Sequence, residues 1–204
     1  EPMKSCKQLC SAGLFLFFLL SFSGCSEEKF APAEFDPIIK LNAPVNQNQS
    51  SFVFDNKASF NIPSGMEPVT GKLLIEAKNA VKKNETEKFQ SEIRNVWIDK
   101  KENILMVLSV PSYFSDKDDF TLSNDIIQNY KDNIAGSKVH RDFTSSGDFN
   151  ILQVAVEIRS IILYKFIIYS PEFKMELSFI IQKENFFKNR SQISSIIESV
   201  QLHR

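Results

Sequence analysis

The hydrophobic and polar positions divide the chain into an apolar leader, a polar stretch without period, and a long region of mixed β and α signals. Phe52, Phe54, Phe60 and Ile62 alternate with polar neighbours, as a half-buried strand does, and Pro63, Ser64 and Gly65 end it with turn chemistry. Within 73–83, Leu74, Ala77 and Val81 recur at three and four residues, which predicts a helix. Residues 93–98 and 104–110 are β-rich runs around the polar residues 99–103, a hairpin pattern that Pro111 closes, with Trp97 as a core anchor. Ser123 is placed to cap a helix over 124–135. Asp125 lies in its first turn, Ile126, Tyr130 and Ile134 make its stripe with Ile127, and Gly136 supplies a left-handed stop.

Residues 150–182 carry the strongest sheet signal. Leu152, Val154, Val156 and Ile158 alternate with Gln153, Ala155 and Glu157, and the nearly all-apolar 161–169 suits a central strand. After Ser170-Pro171-Glu172, the residues Met175, Leu177, Phe179 and Ile181 alternate again. Connections this short force an antiparallel meander, because parallel neighbours need far longer crossovers. In 191–202, Ile193, Ile196, Ile197 and Val200 place one apolar face of a closing helix on the sheet. The fold class is therefore α+β: an antiparallel β-sheet flanked by α-helices, in one domain over 51–204.

The leader has a different logic. Lys4 and Lys7, the apolar run 14–20 and the small-residue exit from Ser21 to Cys25 have the layout of a secretory signal peptide. The run is too short for a spanning helix, which needs about 20 apolar residues. The exit resembles the lipobox of bacterial lipoproteins, in which a peptidase cuts just before the cysteine that receives the lipid. Ser23, Gly24 and Cys25 match it position by position, with Phe22 where Leu is usual. The resemblance implies cleavage between Gly24 and Cys25, removal of 1–24, and palmitate-type acylation of Cys25. All three cysteines, Cys6, Cys10 and Cys25, lie in this segment, so the mature domain relies on its core rather than on disulfides.

Residues 25–50 are expected to form a flexible tether, broken by Pro32, Pro37 and Pro44 and ending in the polar run 46–50. Ser26, Glu27, Glu28 and Lys29 are similar to the acidic export tags of some Bacteroidetes surface lipoproteins. Ser26 also differs from the Asp of an inner-membrane retention signal, which favours an outer-membrane destination on the periplasmic or surface face.

Two further stretches carry a family likeness. Ala58-Ser-Phe-Asn-Ile-Pro-Ser-Gly-Met66 looks like the opening strand of the PsbP-like family, with Met66 in place of the usual aromatic. Leu177-Ser-Phe-Ile-Ile181, followed by 193–200 with Glu198 and Ser199, looks like its closing strand and helix. The chain thus resembles bacterial lipoproteins with a PsbP-like domain of the DcrB type. That resemblance implies a domain that binds or assists a protein partner, and it brings no catalytic residue with it.

Composition narrows the chemistry further. Without Glu1, Lys4 and Lys7, the 24 basic and 25 acidic residues become 22 and 24, a formal charge of −2 that gives nucleic acid no basic surface. His140 and His203 are the only histidines; His203 stands near the C-terminus as a frayed end, and His140 reads as a surface or edge residue. A hydrolase built on His140 needs a serine and a carboxylate to converge on it. No metal or cofactor is expected: the mature thiols and paired histidines of a zinc site are missing, and no glycine-rich phosphate motif occurs. Asp116, Asp118 and Asp119 read as a solvated loop. Tyr113 and Phe114, beside that loop, are the candidate partner patch. The expected function is a lipid-anchored, non-enzymatic envelope protein that binds or assists a protein partner, with a carrier of small apolar ligands as the alternative.

Overall fold

The computed structural model describes residues 36–41, 50–84, 91–112, 119–146 and 148–203. Two antiparallel sheets share one core. The smaller contains β1 (Ser50–Phe54), β2 (Ala58–Ile62) and β10 (Gln201–Leu202), in the order β1-β2-β10. The larger contains β3 (Glu67–Pro68), β4 (Ser91–Asp99), β5 (Ile104–Pro111), β6 (Lys138–Ser146), β7 (Phe149–Ile158), β8 (Ile161–Ser170) and β9 (Phe173–Gln182), in the order β3-β4-β5-β9-β8-β7-β6. Three helices pack on it: α1 (Gly71–Asn84), α2 (Asp119–Asn133) and α3 (Phe186–Glu198).

Short turns explain why the strands are antiparallel neighbours. β7 and β8 are joined through Arg159, at φ 52°, and β4 and β5 through a turn ending at Asn103, at φ 53°. Residues 52–62 do not form one strand. Asp55 and Asn56 take φ values of 48° and 56°, the consecutive positive angles of a type I′ turn, and Lys57 N donates to Phe54 O across it. The chain therefore folds back so that Phe52 faces Phe60. Both rings stand edge-on to Trp97 or nearly so, with centroids at 5.1 and 6.2 Å, and Trp97 is buried as the sequence predicts.

The inner face of the large sheet supplies the main core. Ile104, Met106, Leu108, Tyr164, Phe166, Leu177 and Phe179 lie beneath the small sheet and α3, whose Phe186, Ile193, Ile196 and Ile197 are almost wholly buried. On the outer face, α1 brings Leu74 to Ile93, Val96, Leu105 and Val107. There α2 sets Leu122 and Ile126 on Leu152, Val154, Val156 and Ile167.

Several element boundaries depart from the sequence reading. α2 begins at Asp119, so Ser123 lies inside it and is not its cap; its hydroxyl donates back to Phe120 O at 2.8 Å. Gly136 does take the left-handed conformation expected after the helix, at φ 76°. The closing helix runs from Phe186 to Glu198 rather than to 202, because Gln201 and Leu202 pair with Ser59 and Ala58 instead. The meander has a fourth member in β6, whose polar sequence hides it. Two parts of the expected tether 25–50 are ordered on the domain instead: β1 starts at Ser50, and residues 36–41 lie against the domain with Ile39 only 1% exposed.

Candidate functional site

Gly24 and Cys25 lie outside the described residues, as do Tyr113, Phe114, Asp116 and Asp118; Asp119 opens α2. Among the described residues, no helix is long and apolar enough to cross a membrane.

His140 sits on the edge strand β6, where it pairs across to Ala155 of β7. Its Nε2 lies 2.9 Å from Glu157 Oε1, and the other carboxylate oxygen of Glu157 accepts from Lys183 Nζ at 2.7 Å. Glu157 is buried while His140 and Lys183 are about one-third exposed, so one carboxylate is held from two sides at the sheet's rim. The carboxylate that meets the ring is thus engaged by lysine as well, and the hydrogen-bonding pattern is that of a rim clamp. His203 is not frayed. Its amide donates to Lys57 O at 2.8 Å and its Nε2 lies 2.9 Å from the buried Ser59 hydroxyl, fastening β10 to β2. The two histidines stand in separate contacts, with Glu157 beside one and Ser59 beside the other. Among the described residues, no three His, Cys, Asp or Glu side chains gather as a metal site.

Two polar features were not visible as sequence motifs. The first is on the outer face, between the ground covered by α1 and by α2. Lys165 of β8 and Glu176 of β9 form an ion pair at 2.7 Å, with side chains 14% and 3% exposed. Ser178 Oγ also donates to Glu176 Oε1, and Ser109 faces Glu176 across β5 and β9. The strand register explains the grouping. Lys165 is opposite Ser178, so alternation places all four side chains on one face.

The second is a groove on the inner face that holds residues 36–41. Tyr164 Oη donates to Pro37 O at 2.9 Å, and Arg190 Nη2 of α3 donates to Ile38 O at 3.1 Å. With its amide nitrogen toward Ile39 O and its oxygen toward Ile39 N, Gln153 makes both bonds, at 3.0 and 2.9 Å. Asp36 Oδ1 accepts from Ile38 N and turns the segment's start. Burial pushes the Tyr164 phenol well above its ordinary pKa, opposed by Arg190 and reinforced by Glu157 and Asp36, so it stays protonated as a donor.

Tyr164 stacks on Phe166 at 6.1 Å and on Phe186 of α3 at 6.2 Å, all three rings wholly buried. What the arrangement does chemically is hold a peptide backbone, through four neutral or cationic contacts and two slots that bury Pro37 and Ile39.

Comparison with solved structures assigns the fold. The chain is similar to cyanobacterial PsbP (CyanoP) from Synechocystis sp. PCC 6803, at 10% identity and a TM-score of 0.51, over 81% of this chain and 99% of that one. No protein-family model matches the chain. No curated protein matches it. The fold is PsbP-like, as the opening and closing stretches of the sequence led us to expect.

Proposed function

We propose that this chain is a lipid-anchored, non-enzymatic protein of the bacterial cell envelope whose PsbP-like domain binds or assists a protein partner. The observation that carries the reading is the PsbP-like fold, which accounts for nearly the whole length of CyanoP. It is joined by the lipobox-like Ser23-Gly24-Cys25, which supplies the anchor, and by the export-tag-like 26–29, which favours the outer membrane. Acylation at Cys25 gives a membrane hold without a spanning helix.

Mass spectrometry of the membrane fraction is expected to find diacylated or triacylated Cys25. Cys25→Ser is expected to move the protein into the soluble fraction. A wild-type chain that is unmodified and freely soluble would sink the anchor. Crosslinking in intact cells followed by pull-down, with surface protease accessibility scored alongside, tests partner and topology together. A chain that crosslinks reproducibly to nothing would remove the partner reading.

A further inference from the structure

The segment 36–41 is bound in the way a domain binds a peptide. It does not extend either sheet; it lies on the inner face, and the groups that hold it are side chains of β7, β8 and α3. These polar contacts all go to its backbone. Gln153 takes the N–H and the C=O of Ile39 together, as a neighbouring strand would, while Tyr164 and Arg190 take the two preceding carbonyls. Only two of its side chains are buried, Pro37 and Ile39; Asp36 and Lys40 are exposed.

We propose that this groove is a binding site for an extended peptide carrying a proline followed two residues later by a branched aliphatic residue. Its resident ligand is the chain's own segment 36–41, and a partner's segment of the same pattern displaces it. Backbone recognition makes the site tolerant of sequence at the exposed positions, and the two buried slots set its preference. Occupancy in cis is favoured because only residues 42–49 separate the segment from β1, which gives an effective concentration on the order of mM. A partner therefore has to compete for the groove, and its binding releases the segment, which lengthens the spacer. This inference rests on the partner-binding reading and names the partner's chemistry; it does not need the anchor.

The probe is a fluorescein-labelled peptide with the sequence of residues 34–42, titrated by anisotropy against the mature chain. Ile39→Ser, which weakens the resident segment, is expected to bind the probe at least about tenfold more tightly than wild type. Adding Gln153→Ala to that variant is expected to abolish the gain, and a scrambled peptide is expected not to bind. If folded Ile39→Ser binds no better than wild type, the groove is not a receptor and the inference fails. Native-state hydrogen exchange covers the case in which Ile39→Ser does not fold. In wild type, the Ile39 amide is expected to exchange far faster than the β7 and β8 core amides; exchange only by global unfolding would make the segment a fixed part of the core and overturn the proposal. Failure here with a partner still captured in cells would remove only the peptide site, whereas peptide binding without any captured partner would remove the broader reading.

Discussion

The ion pair between Lys165 and Glu176 offers the sharpest test of how the sheet's outer face is built. Lys165→Met keeps the length of the side chain and removes its charge, leaving a carboxylate that is only 2% exposed beside Ser178. At 2.7 Å and an effective dielectric of about 20, the lost attraction is about 6 kcal/mol before desolvation is counted. Desolvation of both ions offsets much of that in the wild type, so the net worth of the pair is small, while stranding one partner costs about 3–5 kcal/mol. For a domain of this size, that is a fall in Tm of roughly 6–20 °C. Urea unfolding followed by circular dichroism gives the number directly, with the m-value checking that the folded state is retained. The double variant Lys165→Met/Glu176→Leu is expected to recover most of the loss, since two apolar side chains replace two buried ions. If Lys165→Met costs less than about 1 kcal/mol and the two substitutions simply add, the pair is hydrated and its burial has been misread.

Three other outcomes follow from the packing and can be checked on the same material. A Cβ at Gly65 would meet Asp99 Oδ2 at 2.8 Å, and Asp99 cannot yield easily because its other oxygen accepts from Lys101 N and Glu102 N. Gly65→Ala is therefore expected to lower stability by about 1–3 kcal/mol in urea, and a neutral result would show that the Asp99 side chain moves freely. Phe186→Ala empties the space between α3 and the stacked Tyr164 and is expected to cost about 3–5 kcal/mol; a loss below about 1 kcal/mol would mean that α3 is not seated on the sheet as described. Because burial raises the Tyr164 phenol, its contribution is complete below about pH 10, the ordinary value that the unfolded chain regains. Above that pH the unfolded state ionises while the folded one keeps its proton, so stability falls by up to about 1.4 kcal/mol per pH unit, a slope that Tyr164→Phe is expected to flatten. Parallel losses in the two proteins would refute it.

The legible parts of the fold were those where one physical rule acts alone. The meander declares itself by strict alternation and by turns too short for anything but antiparallel neighbours, and β7, β8 and β9 stand where that argument puts them. β6 was hidden because an edge strand needs no apolar run. Its Lys138, Arg141 and Asp142 are the charges that guard an open edge, and they leave no apolar run by which a strand is recognised. Asp55 and Asn56 carried a turn signal inside the run read as one strand, and the regular spacing of phenylalanines concealed it. Ile39 was overlooked for a different reason: Pro37 and the polar residues beyond it suggest a spacer, and nothing local reveals that Gln153 and Tyr164, more than a hundred residues away, take up its backbone. The outer-face ion pair is likewise a product of register, which depends on which strands become neighbours. Candidate positions read from residue type alone fared unevenly. His140 stands on an edge as expected, whereas His203 gains a partner only because β10 meets β2.

That last pairing has a consequence for how the molecule is made. Ser59 and Ala58 cannot complete their ladder until Gln201 and Leu202 arrive, and the Lys57 carbonyl waits for His203. The small sheet joins segments far apart in the chain, the kind of distant pairing that slows folding. Phe60, a member of the main core, lies on the strand whose second edge this pairing covers. β10 is thus the fastening between the early strands of the domain and its end, made through Gln201, Leu202 and His203.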